Sequence, residues 1–366
     1  MKVVIACGGS GGHVIPGRAL ASRLRALERE IEILFVVSRK AVDRRMLGEE
    51  KAILALPVVG MPYTFSWRFP FFAARFALSL GICFCRMLRF KPDIFVGFGG
   101  YVSGPVIVTG LILRKPTVIH EENFIPGRAN LWLSRWVTRV GVAFEETKEF
   151  FGKNAPVVCV GNPLRHDLVS LPAVEARHYF GLKQDRFTLL LSGGSQGAHR
   201  LNRAMVEALG KLPPEEREAL QVIHLTGDKD AAWVTSRYEA LGVPARVYPF
   251  LDRMGEAYSA ADLVVARGGA MTLTEIGHFR KPALFVPLTM AKNHQLENVR
   301  YLAKRGACVL FDEGRAMTEE FPREILNLKR DDSRRKDLSQ RLASFYPGGT
   351  AEKLAKEIFA LAEKGD

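Results

Sequence analysis

Val3-Val4-Ile5-Ala6-Cys7-Gly8-Gly9-Ser10-Gly11-Gly12-His13 is the stretch on which the fold turns. Five apolar residues without polar alternation form a strand buried on both faces, as in a parallel sheet covered by helices. Four glycines in the next five positions make a tight turn, and residues 14–28 then take up a helical period. The strand runs into the turn with no cleavage site behind an apolar core, so a buried first strand is expected here rather than a signal peptide.

The same unit recurs outward from this point. Further buried strands are expected at residues 31–37, 94–96, 117–119, 139–143 and 157–160, with helices between them such as 104–113. The pattern restarts with strands at 187–191, 221–225, 246–249, 263–265, 283–286 and 308–311, and a helix closes it at 350–363. Alternating strands and helices imply a parallel sheet. Gly193-Gly194-Ser195-Gln196-Gly197 follows the first strand of the second series as Gly8-Gly9-Ser10-Gly11-Gly12 follows the first strand of all. The expected class is therefore α/β, with two doubly wound domains. Gly161-Asn162-Pro163-Leu164-Arg165-His166 has turn chemistry and marks the hinge, giving domains at 1–160 and 161–346 and a terminal helix, 347–366, that packs back on the first.

Length agrees, since one core seldom keeps growing past about 250–300 residues, and this chain has 366. Its 48% hydrophobic and 25% charged residues exclude a disordered chain. A net charge of +13 suits an anionic partner: nucleic acid, an anionic membrane or a phosphorylated substrate. No zinc-finger or RNA-recognition signature accompanies the charge, so nucleic acid is not expected. The five cysteines are scattered without a CxxC pair, which argues against a disulfide framework or a zinc site and for a reducing compartment.

Glycine-rich turns at helix starts present backbone N–H groups where the helix dipole favours an anion. Two matched turns, with Gly97-Phe98-Gly99-Gly100-Tyr101 and Arg267-Gly268-Gly269-Ala270, point to phosphate rather than to packing alone. A nicotinamide enzyme would need GxGxxG, and from Gly9-Ser10-Gly11 the third position is Val14. No GK[ST] follows any turn, which removes the Walker loop. Asp228-Lys229-Asp230 has the form of a metal-binding DxD, but solvated loop carboxylates are the expected reading.

Taken in order, these segments resemble the MurG family, the UDP-N-acetylglucosamine transferases of peptidoglycan synthesis. The segments are residues 8–17, Gly99-Gly100-Tyr101-Val102-Ser103-Gly104-Pro105, His120-Glu121-Glu122-Asn123, Gly161-Asn162-Pro163-Leu164-Arg165, Gly193-Gly194-Ser195-Gln196-Gly197-Ala198, residues 267–275, and Gln295 with Asn298. They span residues 8 to 298, about four-fifths of the chain. Glu122 stands where many members carry Gln, and Gly268 where a Ser is common.

The resemblance implies a GT-B fold, two Rossmann-like domains facing across a cleft, with no cofactor and no metal. It implies inverting transfer of N-acetylglucosamine from UDP to the 4-hydroxyl of the muramoyl sugar of lipid I, an undecaprenyl-diphospho-muramoyl peptide, to give lipid II. A related GT-B enzyme acting on diacylglycerol is the nearest rival; a nucleotide-binding module without catalysis is another.

His13 is the candidate base, since imidazole titrates near working pH; an anion-binding histidine is the alternative. The resemblance places Ser195 and Arg165 on the diphosphate, with Ser10, Gly11 and Gly12 in the first glycine turn. Fixed donors would there replace a cation on the leaving group. Glu275 would accept both ribose hydroxyls, and Leu251 would meet the uracil through its backbone. Ala270, Met271, Thr272, Leu273 and Thr274 would surround the donor at a helix start, while Asn123 and Gln295 would read sugar hydroxyls. Tyr101 and His120 fall on the acceptor side.

Residues 65–91 interleave Phe65, Trp67, Phe69, Phe71, Phe72, Phe76, Phe84 and Phe90 with Arg68, Arg75, Arg86, Arg89 and Lys91. Spanning takes about 20 apolar residues, whereas only ten lie between Arg75 and Arg86. Aromatic rings with cations suit an anionic membrane surface, and loop 61–70 is the better candidate within the segment. The expected location is the cytoplasmic face of a bacterial plasma membrane. A helix packed in the first domain is the alternative.

Overall fold

The computed structural model describes residues 1–363 apart from 10, 49, 63–66, 166–167, 195–196 and 289–293, so Ser10, Ser195 and His166 lie outside the described residues. The chain divides into two compact units, Met1–His166 with Gly349–Asp366, and Asp167–Gly348.

Unit 1 opens with β1 (Lys2–Ala6), α1 (Gly11–Leu27), β2 (Glu32–Ser38), α2 (Ala41–Leu47) and β3 (Ile53–Leu56). It continues with α3 (Arg68–Phe90), β4 (Ile94–Gly97), α4 (Gly100–Ile112), β5 (Thr117–Glu121), α5 (Arg128–Leu133), β6 (Arg139–Val142) and β7 (Val157–Cys159). The seven strands run in the order β3-β2-β1-β4-β5-β6-β7, all parallel. Successive strands depart to either side of β1, so the order reverses between β1 and β4, where open sheets of this kind hold ligands.

Unit 2 contains α6 (Ala173–Tyr179), β8 (Phe187–Ser192), α7 (His199–Gly210), α8 (Pro214–Glu218), β9 (Leu220–Leu225), α9 (Ala231–Leu241) and β10 (Ala245–Tyr248). After these come α10 (Met254–Ala260), β11 (Leu263–Ala266), α11 (Ala270–His278), β12 (Ala283–Phe285), α12 (His294–Ala303), β13 (Val309–Leu310), α13 (Glu320–Arg330) and α14 (Asp332–Ser344). Its parallel sheet is ordered β10-β9-β8-β11-β12-β13, with the reversal between β8 and β11. The expected α/β class with two doubly wound units is thus present.

The last helix, α15 (Thr350–Ala362), belongs to unit 1. Leu354, Ala355, Ile358 and Leu361 are buried in one core with Val3, Ile5, Leu20 and Leu24. Ion pairs Arg23–Glu352 at 2.6 Å and Arg139–Glu357 at 3.1 Å flank that contact. Thr350 Oγ1 donates to Asn162 O at 2.7 Å.

The aromatic segment forms α3, long and apolar enough by length and composition to cross a membrane. Yet Ser79, Cys83 and Met87, four residues apart and therefore on one face, are fully or almost fully buried, the last two in the unit 1 core. Trp67, Phe71, Leu78 and Leu88 stay exposed. One face of α3 is a core helix, as the alternative expected; another is apolar and uncovered.

Candidate functional site

In unit 1 the turn after β1 is tied down from below. Asp43 of α2 is fully buried, and its carboxylate accepts the Gly9 N–H at 2.9 and 3.1 Å. It also accepts from Ser38 N at 3.2 Å and Ser38 Oγ at 2.5 Å. The Gly9 amide is therefore committed to a carboxylate of the protein, which corrects the reading of the whole turn as a phosphate seat. Gly11 and Gly12, as the first residues of α1, keep amides that no intrahelical carbonyl reaches. Gly9 has φ +93°, and a Cβ there would come within 2.9 Å of the Tyr101 ring. Lys40 donates to Gly9 O at 3.1 Å and lies 5.5 Å over the same ring. Tyr101 thus packs on the glycine turn and remains partly exposed.

His13 lays its ring on the Gly99–Gly100 turn, where φ is +80° and +67°. A Cβ on Gly99 would sit 3.4 Å from His13 Cδ2 and Nε2; one on Gly100 would sit 3.3 Å from Cε1 and 3.0 Å from Gly8 O. The left-handed backbone strains a side chain at either position, and at Gly100 the Gly8 carbonyl also crowds it, which is why two glycines precede Tyr101. His13 Nε2 lies 3.7 Å from Glu122 Oε1.

Glu121, at the end of β5, is a clamp that the sequence did not single out. It accepts from Asn123 N at 2.9 Å and Asn123 Nδ2 at 3.0 Å with one oxygen. With the other it accepts from Gly127 N at 2.9 Å and Asn130 Nδ2 at 2.8 Å. Asn123 is thereby oriented, with its Nδ2 engaged. His120, assigned to the acceptor side, is corrected: it is 1% exposed, packs 5.4 Å from Phe98 and places Nε2 2.9 Å from Gly161 O. Burial pushes its pKa down to about 4, so it stays neutral and inside. Arg165 is half-buried at the end of the unit's first segment.

In unit 2 the turn after β8 keeps Gly197 at φ +74°, where a Cβ would lie 2.3 Å from Thr226 O. A cavity of about 590 Å³ opens there, lined by Gly197, Ala198, His199, Thr226 and 227–230. Asp230 proves to be no solvated loop carboxylate. It is 8% exposed and meets His199 Nδ1 at 2.8 Å and Asn202 Nδ2 at 2.7 Å. Asn202 Oδ1 in turn faces His224 Nε2 at 3.1 Å, and burial drives His224 down to about 3.

Gly268 and Gly269 lead into α11, the helix at the strand-order reversal. A Cβ on Gly268 would fall 2.4 Å from Val299 Cγ2 and 2.7 Å from Gln295 O, so α12 leaves no room for a serine. Ala270, Met271 and Thr272 form the first turn and offer amides outward. The next two assignments are corrected. Leu273 is fully buried with its N–H bonded to Gly269 O at 3.0 Å, and the Thr274 hydroxyl folds back to Ala270 O at 2.8 Å. Both serve the helix rather than a ligand.

Glu275, 7% exposed, accepts a hydrogen bond from Tyr258 OH at 2.9 Å. Leu251 follows β10 and is half-buried. Gln295, in the first turn of α12, accepts from Leu288 N at 3.4 Å.

Comparison with known proteins gives a consistent result. Residues 3–142 match the glycosyltransferase family 28 N-terminal domain, and residues 188–355 match the glycosyltransferase family 28 C-terminal domain. The chain is 34% identical over 366 residues, covering 100% of both chains, to the UDP-N-acetylglucosamine–N-acetylmuramyl-(pentapeptide) pyrophosphoryl-undecaprenol N-acetylglucosamine transferase of Geobacter sulfurreducens. It is 35% identical to the transferase of the same name from Myxococcus xanthus, covering 97% of this chain and 91% of that one. Among solved structures, Acinetobacter baumannii MurG superposes with a TM-score of 0.76 at 26% identity, over 98% of this chain and 99% of that one. A UDP-GlcNAc 2-epimerase from Neisseria meningitidis shares the fold alone, at TM-score 0.69 and 12% identity, over 98% of this chain and 100% of that one.

Proposed function

The chain belongs to the MurG family of glycosyltransferase family 28, and from that premise we infer its reaction and the residues that perform it. It is an inverting glycosyltransferase that moves N-acetylglucosamine from UDP-N-acetylglucosamine to the 4-hydroxyl of the muramoyl sugar of lipid I, forming lipid II. The observation that carries this is identity along the full length to transferases of that name, 34–35% over both domains.

The donor falls to unit 2. Glu275, fixed by Tyr258, takes the ribose hydroxyls, because a carboxylate can accept from both. The amides of Ala270, Met271 and Thr272, with Ser195, Gly11, Gly12 and Arg165, meet the diphosphate as its charge grows on departure. Leu251 faces the uracil by its backbone, and Asn123 and Gln295 read the sugar. His13 takes the proton of the acceptor hydroxyl. Tyr101 and Lys40 border the acceptor.

We further propose a peripheral station at the cytoplasmic membrane face. The uncovered apolar face of α3, with Trp67 83% exposed and Arg75 5.0 Å over the Phe71 ring, combines rings and cations as an anionic interface requires.

The test is direct. Purified protein is given UDP-N-acetylglucosamine or UDP-glucose, with lipid I or diacylglycerol, in the presence of a chelator. Product mass should show N-acetylglucosamine on lipid I alone. A glucosylated diacylglycerol, or a reaction stopped by the chelator, would overturn the reading.

A further inference from the structure

Glu122 stands directly behind β5, 9% exposed, with Oε1 3.7 Å from His13 Nε2. Its backbone is fixed on both sides. Asn162 Nδ2 donates to Glu122 O at 3.3 Å, and the preceding Glu121 is held by four donors. Among the described residues, Glu122 Oε2 has no hydrogen-bond partner. A buried carboxyl with one oxygen unpartnered destabilises a fold, so its position beside an imidazole calls for a use.

We propose that Glu122 is the positioning residue of His13: Oε1 stands 3.7 Å from Nε2 in the resting protein and closes to accept from Nε2–H when substrate is bound, which orients the ring for the acceptor's proton. This deepens the reading of His13 as the base and rests on it. The Gly99–Gly100 turn supports the ring from below, and Glu122 Oε1 faces its Nε2 edge. A base oriented by a third group is a recurring arrangement in proton transfer.

The charge state of Glu122 is compatible with that task. Burial, and then the neighbouring Glu121 carboxyl, push its pKa up to about 8. At neutral pH it therefore carries its own proton while its other oxygen accepts. Glutamine at this position would offer the same acceptor. During transfer the acceptor oxygen bonds to C1 of the sugar as the C1–O bond to UDP breaks. UDP leaves with that electron pair, and the hydroxyl proton passes to the His13 imidazole. The imidazolium so formed faces Glu122 Oε1.

Glu122→Gln and Glu122→Leu separate this from a packing role, with Glu122→Met as a second apolar variant should Leu fail to fold. UDP binding and Tm identify folded protein. The Gln variant should keep kcat within about threefold. The apolar variants should lose about tenfold or more in kcat with KM for UDP-N-acetylglucosamine unchanged. An apolar variant with wild-type kcat, or a Gln variant falling as far as Leu, would overturn the proposal. His13→Ala, run beside them, isolates the underlying reading: an active His13→Ala removes the base, whereas an inactive one with a fully active Glu122→Leu removes only the positioning.

Discussion

The Tyr258 hydroxyl, itself buried on α10, donates to Glu275 of α11 at 2.9 Å and so anchors one oxygen of the carboxylate proposed to hold the ribose. The donor and the acceptor are 17 residues apart and on separate helices. Packing of α10 against the sheet therefore sets the carboxylate's direction before any nucleotide arrives.

Tyr258→Phe keeps the ring and removes this bond. A hydrogen bond to a charged group contributes about 1.5–3 kcal/mol. The KM for UDP-N-acetylglucosamine should rise about tenfold or more, with kcat nearly unchanged, because the ribose is bound equally in ground and transition states. Steady-state kinetics with the purified variant decide it; an unchanged KM rejects the anchoring role.

His13→Ala should lower kcat by about 10²–10⁴-fold, the usual contribution of a positioned general base. UDP affinity, measured by calorimetry, should stay close to wild type. Turnover at the wild-type rate would take His13 out of the chemistry.

Gly268→Ala forces a methyl against Val299 Cγ2 and Gln295 O. Overpacking of this kind costs about 1–3 kcal/mol, which corresponds to a fall in Tm of about 2–4 °C per kcal/mol for a unit of this size. Calorimetry that shows no loss would mean that α12 yields more easily than its backbone contact implies.

Acid should weaken the fold through two buried histidines. His120 and His224 are held down at about 4 and about 3, against an ordinary 6.5. The unfolded chain binds their protons first, so stability falls as pH drops from about 6.5. By pH 5 each histidine removes about 2 kcal/mol. Glu122, raised to about 8, acts in the opposite sense over the same window, because it is the folded state that binds its proton. Two against one leaves a net loss, and Glu122→Gln should steepen it. A Tm that is level from pH 6.5 to 5 in both proteins would contradict this.

Trp67→Glu and Phe71→Glu should reduce co-sedimentation with anionic vesicles, while wild-type binding should weaken as salt rises. Both side chains are exposed, so Tm should hold. Binding indifferent to lipid charge and to these substitutions would remove α3 from the membrane.

Much of this fold was legible because its strands are buried on both faces and read as continuous apolar runs. The strand missed, β3, pairs only with β2 at the sheet edge and is largely half-buried, so Ile53-Leu54-Ala55-Leu56 carries a weaker signal. Helix starts were placed late: α1 begins at Gly11 rather than 14, and α4 at Gly100 rather than 104, because glycines read as turn even where they open a helix. At the site, the ordered glycine turns and His13 could be found from sequence. Asp43, which secures Gly9 from 34 residues away, could not, since an isolated aspartate on a short helix has no periodic signature. Leu273 and Thr274 adjoin true first-turn amides, and only the hydrogen bonds separate them from the positions that face outward.

The return of α15 to unit 1 imposes an order of assembly. The core of Val3, Ile5 and Leu24 lacks Leu354 and Ile358 until everything between has been translated. Unit 2, though made later, is uninterrupted, so its closure does not depend on α15. The opening half meanwhile waits with an apolar groove bare, which makes it the natural client of a chaperone and the first place where premature termination would produce aggregates.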